Sequence, residues 1–281
     1  MNYRHAFHAG NFADVFKHVL LIELLDALKA KPAAFCYVDS HAGRGMYRLG
    51  TGEAERTGEY RDGVARLIGR GDLPPALATY AALVRRCGED DGVLHRYPGS
   101  PVIAATCMRE QDRAIVCEIQ DAEAAALKDV LRRDRRFAVH HRDGYEALGA
   151  LLPPRQKRGL VLIDPPFEEQ AAEFTTIQAA LAQALRRWPN ALQAVWYPIK
   201  QLDAIAPFHR WLATHGGDVL AVEILVHPAN SPLRLNGCGL AIVNAPWQFE
   251  RRVEAWLPAL RALLAAPLAG ESRVLRLAGR D

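Results

Sequence analysis

Gly-Leu-Val-Leu-Ile-Asp-Pro-Pro-Phe, residues 159–167, is the stretch on which the reading of this 281-residue chain turns. Residues 160–163 are a short apolar run with two β-branched members, ending on an acid and two prolines. Such a run reads as a strand buried on both faces, the kind a parallel sheet uses. Asp164 then stands at the carboxyl end of the strand, where open α/β sheets place their ligands. Pro165 and Pro166 lack an N–H and have a fixed φ, so they make a stiff corner that holds Asp164 and Phe167 in place. A carboxylate, rigid carbonyls and an aromatic face within four residues could hold a flat base that carries an amino group. On these four residues alone a plain strand-ending turn is an equal reading, because Asp before Pro commonly starts turns. The rest of the chain decides.

Outward from this stretch the pattern alternates between strand and helix. Upstream, residues 35–38, 114–117 and 137–140 read as strands; downstream, residues 191–196, 219–226 and 239–243 do. Helices are expected near 121–133, 168–187, 200–214 and 249–265, with a short one ending at Leu152. A row of Phe16, Leu20, Leu24 and Leu28 predicts a helix that Asn11 opens and Pro32 ends. Pro98-Gly-Ser-Pro101 predicts another, with Ser100 as N-cap and Pro101 at the first helical position. The last two strands leave no room for a helix between them, which predicts an antiparallel hairpin at the end of the sheet. Residues 52–97 are rich in Arg, Glu, Asp and Gly, show two amphipathic patches and no evident strand, and read as a small helical insertion. The expected fold is therefore α/β: a doubly wound, mostly parallel seven-stranded sheet built from 1–51 and 98–281, interrupted by an inserted helical subdomain at 52–97.

Composition sets outer bounds. Half the residues are apolar and 24% are charged, an ordinary globular mixture. No apolar run is long enough to cross a bilayer. The start, Met-Asn-Tyr-Arg-His-Ala-Phe-His, is polar and does not read as a secretory signal. Five scattered cysteines with no Cys-x-x-Cys pair read as free thiols in a reducing cytoplasm, and no metal site is expected. A formal charge of +3 neither demands nor excludes nucleic acid. Local arginines at 4, 44, 48, 56, 61 and 66 are better RNA candidates than the denser runs at 132–136 and 155–158, which read as solvated helix ends or loops.

Four acids fall at or just beyond the ends of four strands: Asp39, Glu118, Asp143 and Asp164. In a parallel sheet these ends share one edge. Glu118 is placed to accept ribose hydroxyls, and Asp143 with Gly144 to take the exocyclic amine of an adenine; Asp143 also reads as a helix cap. The glycine turn 42–45 lets backbone approach a ligand. Gly43-Arg-Gly45 lacks the third glycine and the acid about 20 residues on that a dinucleotide site needs, so a nicotinamide oxidoreductase is disfavoured. S-adenosylmethionine fits better, its ammonium suiting Asp39 or nearby carbonyls and its carboxylate suiting Lys17, His18 or His41. Each histidine has a packing alternative, and Ser100 a capping one.

These residues carry a family likeness. Asp-Pro-Pro-Phe at 164–167 resembles the [Asp/Asn/Ser]-Pro-Pro-[Tyr/Phe/Trp] motif of methyltransferases that act on exocyclic amines. With Tyr-Arg-His-Ala-Phe-His-Ala-Gly-Asn at 3–11, Asp-Val-Phe-Lys-His at 14–18, Asp-Ser-His-Ala-Gly-Arg-Gly at 39–45, Glu-Arg-Thr-Gly-Glu-Tyr at 55–60, Tyr-Pro-Gly-Ser-Pro at 97–101 and Val-Trp-Tyr-Pro at 195–198, the chain resembles the RlmJ family of bacterial 23S ribosomal RNA adenine-N6 methyltransferases. The stretches span most of the chain in order. The resemblance implies a Rossmann-like class I methyltransferase with an inserted helical subdomain. It implies S-adenosylmethionine contacts at Lys17, His18, His41, Ser100, Glu118, Asp143, Gly144 and Asp164, catalysis at Asp164, and substrate contacts at Tyr3, Pro165 and Phe167. Its expected partner is 23S ribosomal RNA in a protein-free or early-assembly form, with the enzyme a monomer. Phe167 stands where the likeness leads one to expect Tyr, which keeps the stacking face and loses a hydroxyl; Ser40 stands in place of Thr. Rival readings are an amine methyltransferase for DNA adenine or protein glutamine, and a non-catalytic adenosine-binding RNA module.

Overall fold

Asn11 opens the first long helix. Its side-chain oxygen accepts the Asp14 N–H at 3.0 Å, satisfying one of the donors a helix start leaves free. α1 (Phe12–Lys29) carries the predicted row of Phe16, Leu20, Leu24 and Leu28, and all four are buried. The structure, a computed structural model, describes residues 4–167, 170–229, 234–265 and 270–278.

β1 (Cys36–Asp39) is buried throughout and feeds the glycine turn into β2 (Met46–Arg48). Residues 52–97 hold α2 (Gly52–Thr57), α3 (Glu59–Asp62) and α4 (Pro75–Gly88). They also hold strand, contrary to expectation: β3 (Glu89–Asp90), β4 (Val93–Leu94) and the start of β5 (Arg96–Pro98). Elements of two or three residues are too short to display a period. β5 pairs antiparallel with β2, closing the neck of this segment. The segment is also tied to the N-terminal stretch. Val64 donates to the Gly10 carbonyl at 2.8 Å, and a Cβ on Gly63 would lie 2.1 Å from that same oxygen. Only glycine lets the two backbones approach so closely.

The remaining elements follow in order. They are α5 (Ser100–Cys107), β6 (Arg113–Glu118), α6 (Asp121–Leu131), β7 (Phe137–His141), α7 (Gly144–Leu151), β8 (Gly159–Ile163), α8 (Gln170–Arg187), β9 (Leu192–Ile199), α9 (Leu202–His215), β10 (Val219–Leu225), β11 (Gly237–Val243), α10 (Phe249–Glu254), α11 (Leu257–Leu264) and β12 (Glu271–Ala278). The main sheet runs β12-β10-β11-β9-β8-β1-β6-β7. β1 pairs parallel with both β6 and β8, so the chain reverses its winding direction at this strand. β11 is antiparallel to β9 and β10, and β12 to β10. The result is the expected doubly wound, mostly parallel sheet, with eight strands rather than seven. The eighth, β12, is an edge strand; its charged Arg273 and Arg276 interrupt the apolar signal because only one side of its ladder is paired.

Three further expectations are corrected. Gly99 is the N-cap of α5 and Ser100 is already helical. β9 continues through Pro198 to Ile199; its ladder to β8 ends at Val195, so this overhang is paired on one side only, which a proline tolerates. The expected helix 249–265 is two helices, broken before Pro258, which sits at the start of α11.

The layers follow from strand alternation. Leu160 and Leu162 of β8 face one core, with Leu20 and Leu24 of α1, Ile103 of α5 and Leu260 of α11. Val161 and Ile163 face the other, with Leu148 of α7, Ile177 and Leu181 of α8, and Phe208 of α9. Both faces of β8 are thus covered, which is why its sequence is apolar without a break.

Candidate active site

The sheet brings the carboxyl ends of β8, β1, β6 and β7 side by side, and with them Asp164, Asp39, Glu118 and Asp143. A cavity of about 730 Å³ opens above this edge, within the size range of ligand sites. Asp164, Pro165, Pro166 and Phe167 form part of its wall. Phe167 is held edge-on against Phe174 and Trp196, with ring centroids 5.5 and 5.6 Å away.

α1 supplies a further part of the wall. Lys17 reaches Asp164 Oδ2 at 2.5 Å and Asp14 Oδ1 at 3.0 Å. Burial alone would push the Lys17 ammonium down, but these two carboxylates outweigh it and hold its pKa well above the usual lysine value. Asp14 Oδ2 in turn accepts the Gly10 N–H at 2.9 Å and meets His5 Nε2 at 3.0 Å. Asp14 is buried, yet His5 and Lys17 keep its carboxyl well below the normal range.

His18 also lines the cavity and is almost completely buried. Its Nδ1 meets Tyr97 Oη at 2.7 Å, and that hydroxyl meets Tyr80 Oη at 3.0 Å. Its Nε2 is buried with no protein hydrogen bond among the described residues. Burial, helped by the neighbouring Lys17 charge, lowers its pKa to about 3, so the ring is neutral at pH 7. His41 is likewise pushed down to about 4 by burial, and lies edge-on to Tyr145 at 4.9 Å.

Glu118 lies on the wall with each carboxylate oxygen held by one backbone donor, Gly43 N at 2.9 Å and Gln120 N at 2.8 Å. Ser100 lies there too, donating its hydroxyl to Asp39 Oδ2 at 2.7 Å. Asp39 itself is off the wall. It accepts from Tyr37 Oη at 2.6 Å and from His41 N at 3.2 Å as well, and burial lifts its pKa to about 6. It is filled by the protein and is not the open partner for an ammonium that its position in the sequence suggests. Asp143 and Gly144 also stand off the wall. Asp143 Oδ1 caps α7, accepting Tyr145 N at 2.8 Å and Glu146 N at 3.1 Å, while a Cβ on Gly144 would fall 1.9 Å from the Ser40 carbonyl oxygen. Tyr3 lies outside the described residues.

Of the arginines expected at RNA, Arg4 pairs with Glu53, Arg44 with Glu123, Arg61 with Glu55 and Arg66 with Asp62. In the dense runs Arg136 binds Asp134 and two carbonyls below α5, and Arg158 donates to the Leu28 and Ala33 carbonyls. Arg4 and Arg66 nevertheless line the cavity, which also gathers cations that composition did not single out, Lys200 and Arg234, because they flank strands that meet only in the folded sheet. Among the described residues no cluster of His, Cys, Asp or Glu could hold a metal ion, and no helix is long and apolar enough to cross a membrane.

Known proteins resemble this chain over nearly its whole length. It is 37% identical over 275 residues to "Ribosomal RNA large subunit methyltransferase J" of Escherichia coli (98% of each chain). It is 35% identical over 265 residues to the protein of the same name from Haemophilus influenzae (94% of each). The crystal structure of protein LPL1258 from Legionella pneumophila superposes with a TM-score of 0.88 at 32% identity, covering 96% of this chain and 98% of that one. The profile of the family described as "Ribosomal RNA large subunit methyltransferase D, RlmJ" matches residues 32–277, and the chain belongs to that family.

Proposed function

We propose that this protein transfers a methyl group from S-adenosylmethionine to the exocyclic N6 of an adenosine in 23S ribosomal RNA. The observation that carries the reading is the corner 164–167. It sets a carboxylate, proline carbonyls and an aromatic ring on the wall of a cavity that neutral histidine and buried carboxylate also line. The family's printed description, a ribosomal RNA methyltransferase, supports the substrate class.

The residues present suit the cofactor. Backbone N–H groups hold the Glu118 carboxylate in place on the cavity wall, where it would accept ribose hydroxyls. His18 Nε2 is a buried polar atom that lacks a partner and lies beside the cavity; a ligand group there removes the cost of leaving it unpaired. His41 and Ser100 complete this half. Asp143 Oδ2 stays outside the helix cap and, with Gly144 at the end of the same edge, would take the adenine amine of the cofactor. Lys17, which lines the cavity and pairs with Asp164, would also suit the cofactor carboxylate.

Bound S-adenosylmethionine supplies an electrophilic methyl on a sulfonium and leaves as a neutral thioether. The N6 of adenine is a weak nucleophile because its lone pair is delocalised into the ring. Asp164 and the Pro165 carbonyl accept hydrogen bonds from its two N–H groups, favour a pyramidal nitrogen and aim the lone pair; as the N–C bond forms and the S–C bond breaks, one of those protons is released to solvent and the product is neutral. Lys17 holds Asp164 in one position meanwhile. Phe167 stacks on the base, which contributes about 1–3 kcal/mol, and Tyr3 is the further substrate contact that the family likeness implies. The remaining acceleration comes from positioning and a preset electrostatic environment. The target base leaves its helix, or is already unpaired, to enter the cavity.

The test incubates the protein with labelled S-adenosylmethionine and, separately, protein-free 23S RNA, assembled subunits, DNA and protein extract, then maps the label by nuclease digestion and mass spectrometry. N6-methyladenosine in the RNA arm, with transfer lost and cofactor binding kept in Asp164→Ala, is the expected outcome. Label in the DNA or protein arm, or normal turnover by Asp164→Ala, overturns the reading.

A further inference from the structure

Charge is sorted along the edge of the sheet. From β8 to β7 each strand end carries an acid, Asp164, Asp39, Glu118 and Asp143, with His41 and Arg142 among them. In the other direction the next three strands, β9, β11 and β10, carry Lys200, Arg234 and His227 at the same edge, and all three line the cavity. Among the described residues Lys200 and Arg234 form no ion pair, whereas Arg4, Arg44, Arg61 and Arg66 all do. Two unneutralised cations beside one cavity are held there at a cost in mutual repulsion, so their place calls for an anion.

One buried residue sets their geometry. Asn236 is completely buried, and four of its groups tie three chain segments together. Its N–H donates to the Ile199 carbonyl at 3.0 Å. Its carbonyl accepts from Val226 N at 2.9 Å and His227 N at 3.1 Å. Its side-chain Nδ2 donates to the Lys200 carbonyl at 2.6 Å, and its Oδ1 accepts from Arg234 Nε at 2.8 Å. The Arg234 fork is thereby fixed through Nε, and among the described residues its two Nη groups make no hydrogen bond, the arrangement that suits a phosphate.

We infer that Lys200, Arg234 and His227 form a clamp for the RNA backbone phosphates flanking the adenosine whose base sits at 164–167. This rests on the function proposed above. A nucleotide drawn into the cavity brings its own two phosphates to the mouth, next to the corner that holds its base. Lys200, Arg234 and His227 share that edge with the corner, so they meet the phosphates once the base is seated.

The test measures binding of an RNA hairpin from the methylated region to the full-length protein across a salt series, for the wild type, Lys200→Ala, Arg234→Ala and the double variant. Affinity for S-adenosylmethionine and the melting temperature are measured on the same samples. Each lost phosphate contact lowers the slope of log K against log salt by roughly 0.7–0.9. The double variant is expected to lose about 1.5 from the slope and roughly ten- to a hundred-fold in RNA affinity, with S-adenosylmethionine affinity changed less than about twofold. Arg234→Lys keeps the charge and loses the fork, so it retains the slope while binding more weakly. If the alanine variants fail to fold, Lys200→Gln and Arg234→Gln give the same reading. An unchanged slope in the double variant overturns the clamp, and so does loss of cofactor affinity at an unchanged RNA slope, which would assign the cations to the cofactor carboxylate. A wild type that binds the hairpin with a normal slope but places no methyl on N6 would sink the proposed function and leave the clamp standing.

Discussion

Replacing Lys17 with methionine keeps nearly all of its buried length and removes only the charge. Lys17 is 6% exposed, and its partners Asp14 and Asp164 are 2% and 14% exposed, so little solvent screens the cluster. At an effective dielectric of about 20, a unit charge pair 3 Å apart attracts by roughly 5–6 kcal/mol, most of which offsets the cost of burying the ions. Removing the shared cation takes away the attraction and leaves the desolvation. Asp14 keeps His5 and the Gly10 N–H; Asp164 loses the only ammonium it touches among the described residues. The expected loss is about 3–5 kcal/mol. For a chain of this size that corresponds to a fall in Tm of roughly 10 °C. Thermal and urea unfolding read it directly. Adding Asp164→Asn to Lys17→Met removes one orphaned charge, so the double variant is expected to be more stable than the sum of the singles by about 1–3 kcal/mol. Turnover falls about a hundred-fold in the single variant as Asp164 loses its fixed position. A Tm within about 2 °C of the wild type, together with additive effects in the double variant, would refute this account of the cluster.

Three shorter predictions follow from other contacts. Gly144→Ala sets a methyl against the Ser40 carbonyl and should destabilise by several kcal/mol, with S-adenosylmethionine affinity falling as α7 is displaced; calorimetry reads both. Phe167→Ala should raise the KM for RNA by about ten-fold or more through lost base stacking, leaving cofactor affinity within about twofold, as isothermal titration would show. For pH, His18 and His41 titrate near 3 and 4 in the fold, below the unfolded value of 6.5, so the stability they contribute is complete above 6.5 and is lost as pH falls toward 4. Asp39, raised to about 6, acts oppositely: the native state takes its proton first, so its contribution is present at low pH and lost as pH rises through 6. Two protons against one leave a net loss of stability as pH falls from 6 to 4. Replacing both histidines with glutamine should reverse the sign of that slope in a urea-denaturation series, and an unaltered slope would contradict the assignment.

How much of this was legible beforehand depends on which interactions made each feature. β8 was plain because two cores demand apolar residues at every position. The edge of four acids was plain because parallel strands all end on one side. β12 was not, since an edge strand needs only one ladder and half a core, and its arginines are tolerated. Asp39 and Asp143 illustrate the limit at the site. Their place at strand ends is a matter of topology and could be read; whether a carboxylate points at a ligand or at Tyr37, Ser100 and a helix start depends on side chains from elsewhere. The Lys17–Asp164 contact joins residues 147 positions apart, and no spacing announces it. Lys200 and Arg234 were missed for the same reason: neither belongs to a charge run, and only the pairing of β9 with β11 makes them neighbours.

The sheet order divides cleanly by position in the chain. Its first four strands in sequence, β1, β6, β7 and β8, occupy one half, and its last four, β9 to β12, the other; one ladder, Leu160–Ile163 against Leu192–Val195, joins them. During synthesis the half bearing the four acids emerges complete before any of the second half exists. Until β9 arrives, β8 is an open edge of Gly-Leu-Val-Leu-Ile, flat, apolar and free of any charge that would discourage a second chain from pairing with it. A strand buried on both faces in the finished protein is thus an open edge in the nascent one, and conditions that slow translation past residue 190 should increase aggregation more than those that slow it earlier.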